Sequence, residues 1–298
     1  KGLEHVGVVA EESMEALLDR LEGRGSTGLR VGFSRLDAIT QGFQPGNLIV
    51  LAARPGLGKT ALALNWLLRA ADSAQRAHGA FFSLEMSREE VFTRLLAAKA
   101  SVNMKAVMSG AYDEVVQAKL LAARNELVQL PIFINDQAAI TVREITAMVD
   151  RHLSQANQRL DLIIVDYLQL ISSPPESRGA KQNEAVRVAE ISRAFKLLAK
   201  DHGIPVVVLS QLNREVEHRQ SGQPQLSDLR DSGAIEQDAD IVIFIHRKMK
   251  PPLEGEPEDR NAQLIIAKHR NGPTAIVPLY FEAEYARYRE LERATDEV

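Results

Sequence analysis

Cysteine is missing from all 298 residues, which excludes a disulfide framework and a thiolate metal site. The absence is compatible with a reducing cytoplasm, where the chain is expected to act. No apolar run approaches the roughly 20 residues that span a bilayer, so neither a membrane segment nor a membrane partner is expected. Lys1-Gly-Leu-Glu-His5 is charged and short of apolar residues, so no signal peptide is read there. A first residue that is Lys rather than Met reads as a fragment or a processed chain. A basic excess is missing too: 36 Lys and Arg face 40 Asp and Glu, for a net charge of −4. That balance argues against a general nucleic-acid coat and leaves open local contacts lining a groove or pore. There is no internal repeat and no low-complexity block. What is present is ordinary for a globular protein: 45% hydrophobic residues, on a length that suits one large α/β domain or two smaller ones.

The most informative stretch is Ala53-Arg-Pro-Gly-Leu-Gly-Lys-Thr60. It follows the apolar run Asn47-Leu-Ile-Val-Leu-Ala52 and leads into Ala61-Leu-Ala-Leu-Asn-Trp-Leu-Leu68. Strand, glycine-containing loop and helix in that order are the context of a phosphate-binding loop. Gly56 and Gly58 let the backbone curl so that N–H groups face phosphate oxygens. The helix that follows offers unpaired N–H groups and a positive dipole end. Residues Arg54, Pro55, Gly56, Leu57, Gly58, Lys59, Thr60 and Ala61 are therefore the expected ATP cradle. Lys59 reaches the β- and γ-phosphates and the Thr60 hydroxyl ligates Mg²⁺. Ala53 stands where the general motif has Gly.

Elsewhere, Met14, Leu17, Leu18 and Leu21 recur at helical spacing, which predicts a short amphipathic helix over 11–22, and Gly23–Gly28 reads as a flexible connector. A helix capped by Ser34 is expected from there to Gln41. Ser87 with Glu90, and Thr141 with Glu144, are capping boxes, predicting helices to about residues 100 and 157. Another helix is expected from about Tyr112 to Gln129, and one from Glu184 to Asp201. Strands are read at 79–84, 131–135, 161–165 and 204–209, and in the runs 241–245, 264–267 and 275–281. Arg270-Asn-Gly-Pro273 joins the last two runs as a hairpin, and the charged tail is expected to fray. Strands alternating with helices predict an α/β fold with a mostly parallel central sheet, helices on both faces and an antiparallel edge hairpin.

Asp166 closes the most apolar strand, where a P-loop enzyme places a carboxylate for Mg²⁺. Glu85 follows the strand after the P-loop helix. There it either orients and deprotonates an attacking water or is a surface residue ahead of the Ser87 cap. Gln211 ends Val206-Val-Val-Leu-Ser-Gln211, where its amide either senses a γ-phosphate or is that of an ordinary loop residue. Lys268 and Arg270 at the hairpin mouth are either solvated or project into a neighbouring subunit's site, as an arginine finger does. Two long polar stretches, Ser172–Lys181 and Asn213–Ile235, hold Arg178, Lys181, Arg214, Arg219 and Arg230 and no Phe, Tyr or Trp. They are either solvated loops without a function or suited to contact with a phosphate backbone, without base stacking.

Taken together, the P-loop stretch, Ser83-Leu-Glu-Met86, Leu162-Ile-Ile-Val-Asp-Tyr-Leu-Gln-Leu170, Leu209-Ser-Gln-Leu-Asn-Arg214, Asp228 to Asp240 and Ala267-Lys-His-Arg-Asn-Gly-Pro-Thr274 resemble the bacterial replicative helicases of the DnaB type. The resemblance runs from about Thr27 to Phe281 and makes Ala53 a family trait. It implies a RecA-like P-loop ATPase fold, a hexameric ring and ATP-driven translocation on single-stranded DNA. It further implies that Glu85 activates water, Asp166 binds Mg²⁺, Gln211 reports the γ-phosphate, and Lys268 and Arg270 act in trans. Arg230, Asp231 and Gly233 would lie in the DNA-contacting pore loop, with Asp231 where Glu is common. Residues 1–28 would be a linker helix and connector, docked on a neighbouring subunit or folded back on its own domain. Residues 29–285 would be the motor and 286–298 a charged tail. The family's primase-binding N-terminal domain has no counterpart in this sequence, so primase and a helicase loader are partners expected of the intact protein. Two other readings stay open: a RecA-like recombination ATPase that forms filaments on DNA, and an ATP-gated assembly switch without motor activity.

Overall fold

The computed structural model describes residues 3–10, 14, 18, 28–110, 113–172, 184–219, 222–229, 233–247 and 259–291. The strands are Leu48–Ala53 (β1), Gly79–Ser83 (β2), Ile132–Asn135 (β3), Leu162–Asp166 (β4), Val206–Gln211 (β5), Ile241–Arg247 (β6), Asn261–His269 (β7), Ala275–Glu282 (β8) and Arg287–Glu290 (β9). β1, β2, β4 and β5 are buried along almost their whole length, which requires cover on both faces of the sheet. The helices are Ser34–Thr40 (α1), Lys59–Asp72 (α2), Arg88–Ala100 (α3), Met104–Ser109 (α4), Glu114–Leu127 (α5), Val142–Leu153 (α6), Glu184–His202 (α7), Glu215–His218 (α8) and Gly233–Asp238 (α9). One apolar layer packs Leu62 and Trp66 of α2 against Ile49, Phe81 and Leu209, and the other packs Ile145 and Phe195 against Val50, Ile163 and Val208.

The strand order is β3-β2-β4-β5-β1-β6-β7-β8-β9. Pairing is parallel from β3 to β6 and antiparallel from β6 to β9. In β7 and β8 burial alternates, with Ala262, Leu264, Ile266, Val277 and Leu279 turned to the core, as expected of an antiparallel extension covered on one face. The α/β sheet with an antiparallel edge is therefore the one the sequence predicts.

Several local expectations need correcting. Ser34 does not cap α1: the residue before the helix is Phe33, and no side chain of that residue caps it. Instead the Glu290 carboxylate accepts from Arg35 N at 2.9 Å and from Ser34 Oγ at 2.6 Å, so the cap comes from the far end of the chain. Residues 287–290, expected to belong to a charged tail, pair with β8 as the ninth strand; residues 292–298 lie outside the described residues. α6 stops at Leu153 rather than Asn157, and α4 is an additional short helix capped by the Asn103 side chain. Of the amphipathic stripe near the start, Met14 and Leu18 are helical and exposed, while Leu17, Leu21 and the connector 23–27 lie outside the described residues.

Candidate nucleotide site

Loops leaving the carboxyl ends of four adjacent strands, β2, β4, β5 and β1, bring the candidate residues together. The carboxyl ends of parallel strands are where open α/β sheets collect ligands. After β1, Gly56 and Gly58 take φ of 78° and 77°, the left-handed region that disfavours any side chain. Gly58 caps α2, Lys59 opens it, and the first turn holds no acidic residue. The amides of Lys59, Thr60 and Ala61 thus stand at a helix N-terminus suited to an anion.

Asp166 ends β4 beside this loop and is 1% exposed. Thr60 Oγ1 donates to Asp166 Oδ2 at 2.6 Å, and Lys59 Nζ lies 3.9 Å from Oδ1. The Lys59 ammonium also sits 4.6 Å from the centre of the Tyr167 ring. Burial raises the Asp166 carboxyl above its ordinary value, against the opposing pull of Lys59, Thr60 and Arg94. Burial likewise lowers the Lys59 ammonium, against Asp166 and Glu85. A cation at Asp166 and a polyanion at Lys59 would stabilise both ionised forms. Asp166 Oδ1 is buried, and no hydrogen bond reaches it among the described residues. With the Thr60 hydroxyl it makes a pair of hard oxygens, which fits Mg²⁺, a cation that keeps several waters and shares phosphate ligands.

Glu85 is held over the same site by its turn. Ser83, 1% exposed, donates its hydroxyl to Met86 O at 2.6 Å, and Leu84 N donates to Asp166 O at 2.7 Å. Glu85 itself is exposed, and its charge acts on both Lys59 and Tyr167. Gln211 ends β5 in register with Ala53, the last residue of β1. Arg54 lies in the loop, but its guanidinium turns to Glu217 Oε1 and Leu212 O, each at 2.7 Å. Arg94 is a residue the sequence reading missed. It flanks the buried stripe of Val91, Leu95 and Ala98 on α3, and its charge pulls the Asp166 carboxyl down. A cation at the border of an apolar stripe, one helix after Glu85, is the signal that was available.

Lys268 and Arg270 are elsewhere. β7 runs antiparallel, and His269 pairs with Ile241, which pairs with Ile49 at the start of β1. The hairpin mouth is therefore at the opposite end of the sheet from the P-loop, about 17 Å away along a six-residue strand. There Lys268 Nζ donates to the Glu236 and Ala239 carbonyls. Arg270 Nη1 donates to Asp240 Oδ1 at 3.2 Å, and the side chain remains 52% exposed. Burial, then the Arg270 charge, lowers the Lys268 ammonium.

Of the expected DNA-facing residues, Gly233 is exposed and opens α9, whereas Arg230 and Asp231 lie outside the described residues, as do Arg178 and Lys181. Arg219, read as a phosphate contact, is tied inward. Its two terminal nitrogens donate to Asp228 at 2.7 and 2.8 Å, and Asp228 is 2% exposed.

Fold and site together define a P-loop nucleotide-binding domain of the RecA-like type. The chain belongs to the family of DnaB-like helicase C terminal domains, whose model matches residues 28–290. It is 41% identical to the replicative DNA helicase DnaB of Geobacillus stearothermophilus, over 100% of this chain and 64% of that protein. Among solved structures, one ATPase domain superposes with a TM-score of 0.85 at 33% identity, covering 95% of this chain and 99% of that one. A DnaB-like replicative helicase, solved in a study of its interactions with primase, gives 0.84 at 32%, over 98% of this chain and 68% of that one. The chain spans about three-fifths of the length of the curated relatives it matches. Among the described residues, no helix is long and apolar enough to cross a membrane.

Proposed function

We propose that the chain is the ATP-hydrolysing motor of a replicative DNA helicase, working in the cytoplasm as a ring, a hexamer by the family resemblance, that moves on single-stranded DNA. The observation that carries this reading is the division of the site between opposite ends of one sheet. The P-loop, Glu85, Asp166 and Gln211 gather at one end, and Lys268 and Arg270 stand at the other. An arginine side chain extends about 7 Å, well short of the roughly 17 Å to its own P-loop. The cations serve an ATP site only if a second copy brings its hairpin mouth to this copy's P-loop, which makes the interface the place of hydrolysis.

In that site the amides after Gly58 and the Lys59 ammonium hold the β- and γ-phosphates, and Thr60 and Asp166 hold Mg²⁺. Held there, the ion would supply positive charge against the negative charge that develops on the phosphate oxygens. Glu85 orients the attacking water and takes its proton. Gln211, at the end of the strand beside β1, registers whether a γ-phosphate is present. Arg270 and Lys268 of the neighbouring copy spread the charge of the transferring group. Hydrolysis loosens the interface, and the segment holding Arg230, Asp231 and Gly233 shifts with the strand it contacts. Phosphate contact suits that segment, since no aromatic residue is there to stack bases. Met14 and Leu18, helical and exposed on their own chain, suit docking on a neighbour. Primase and a loader are partners of the intact protein. Membership of a helicase family favours this reading over a filament-forming recombinase.

The test is ATPase rate with and without single-stranded DNA, alongside native mass in the presence of an ATP analogue. Stimulation by DNA in a closed oligomer supports the motor. An unstimulated ATPase that still assembles points to an ATP-gated switch.

A further inference from the structure

Strand β9 does more than finish the sheet. Tyr288 at its centre is fully buried, and its hydroxyl donates to the carbonyl of Leu57 inside the phosphate loop. Its backbone N–H donates to Asn65 Oδ1 at 2.7 Å, one to two turns into α2. The ring closes on the loop as well. A Cβ placed on Gly58 would meet Tyr288 Cε2 and Phe281 Cε2, both at 3.1 Å. The Phe281 and Tyr288 ring centres are 4.6 Å apart, and the Arg247 guanidinium lies 4.8 Å from the centre of the Phe281 ring. On either side of Tyr288, Arg287 donates to Ser101 Oγ at 2.9 Å, and Glu290 caps α1. The strand is thus anchored independently of the loop it touches.

We propose that Tyr288 is a positioning residue for the phosphate loop, holding the Leu57–Gly58 peptide in the orientation that turns the Gly58 N–H toward bound phosphate. This role rests on that of the loop as the nucleotide site. A trans peptide is planar, and its C=O and N–H point in opposite directions. A donor gripping the Leu57 carbonyl from the β9 side therefore sends the Gly58 N–H to the other side, where the Lys59 and Thr60 amides open α2. Gly58 has no side chain to resist rotation of that peptide, so the restraint must come from outside the loop. Burial raises the Tyr288 hydroxyl far above its ordinary value, with Arg247 opposing, so it remains a donor throughout the physiological range. β9 has no other reason to place a polar atom at this point: a phenylalanine would fill the same space.

Tyr288→Phe removes the hydroxyl and keeps the ring. The measurements are Kd for a fluorescent ADP analogue, KM and kcat for ATP, and thermal stability. If the Gly58 amide contacts phosphate in both the ground and transition states, its loss removes uniform binding. The expected result is a roughly fivefold to tenfold rise in both Kd and KM, with kcat changed less than about twofold, the scale of one hydrogen bond lost. An unchanged Kd and KM in a folded Tyr288→Phe protein overturns the proposal, as does a fall in thermal stability with KM unaltered, which marks a packing role alone. Lys59→Ala measured in parallel separates the two levels. Loss of ADP binding there with normal binding in Tyr288→Phe overturns the role of Tyr288 and leaves the loop in place. Normal binding in Lys59→Ala overturns the loop reading itself.

Discussion

Arg54 of the phosphate loop and Glu217 of α8 are joined at 2.7 Å, and the same guanidinium donates to the Leu212 carbonyl. Leu212 in turn pairs with Leu229 as an isolated bridge, and Asn213 N donates to Asp228 O at 2.9 Å. Asp228 is clamped by Arg219, two residues before Arg230. The nucleotide loop and the stem of the expected DNA loop are thus connected through a short run of direct contacts. Glu217 is 57% exposed, so its pair with Arg54 is worth at most about 1 kcal/mol. Glu217→Gln is expected to leave ATPase without DNA unchanged and to lower stimulation by single-stranded DNA by about twofold to fivefold. Full stimulation in the variant would show that the pair does not couple the two loops.

Lys59 and Glu85 are expected to fail in different ways. In the proposed mechanism Lys59 meets phosphates already present in the ground state, whereas Glu85 acts on the water that attacks. Lys59→Ala should lose both binding and hydrolysis. Glu85→Gln should keep ATP affinity within about threefold and lose about 10²-fold or more in kcat. Binding by fluorescence and turnover by phosphate release separate the two, and wild-type turnover in Glu85→Gln would remove it as the base.

Glu290 carries the cap of α1 from the last strand. Its carboxylate satisfies Ser34 Oγ and the first free amides of the helix. Glu290→Ala should cost about 1–2 kcal/mol, the usual worth of a helix cap, and lower the melting temperature by about 2–8 °C. Glu290→Gln should retain part of that. Calorimetry on both variants decides it, and a melting point unchanged in Glu290→Ala would mean that solvent replaces the cap at no cost.

Arg230 is the cation expected to meet the DNA backbone. Arg230→Ala should weaken single-stranded DNA binding alike for all sequences and reduce the slope of log affinity against log salt by about 0.7. Titrations at several salt concentrations, on two unrelated sequences, measure both. A loss confined to one sequence would indicate base readout.

The fold was legible wherever a local pattern was enough. The apolar runs of β1, β4 and β5 announce buried parallel strands, and the Ser87–Glu90 and Thr141–Glu144 boxes announce two helix starts that the structure reproduces. The strand ends place the loop, Glu85, Asp166 and Gln211 side by side for the same reason. What could not be read depends on partners distant in the chain. Ser34 has the right chemistry for a cap, yet Glu290, 256 residues away, takes the role. Arg287-Tyr-Arg-Glu290 looks like a solvated tail, and only its pairing with β8 and the burial of Tyr288 against Gly58 make it a strand. Arg219 has the composition of a phosphate contact until Asp228 is seen beside it.

The central claim is that each ATP site is completed by the hairpin of another copy. Mixing Lys59→Ala protein with Arg270→Ala protein tests it most directly, since each is expected to be inactive alone and to carry the half-site the other lacks. Measured as ATPase rate in rings shown by native mass to contain both subunits, the account predicts that mixing restores activity, to about a quarter of wild type if equal subunits assort at random and each site acts alone. Zero recovery in such mixed rings would contradict it, and would mean that Arg270 acts within its own chain or has no part in hydrolysis.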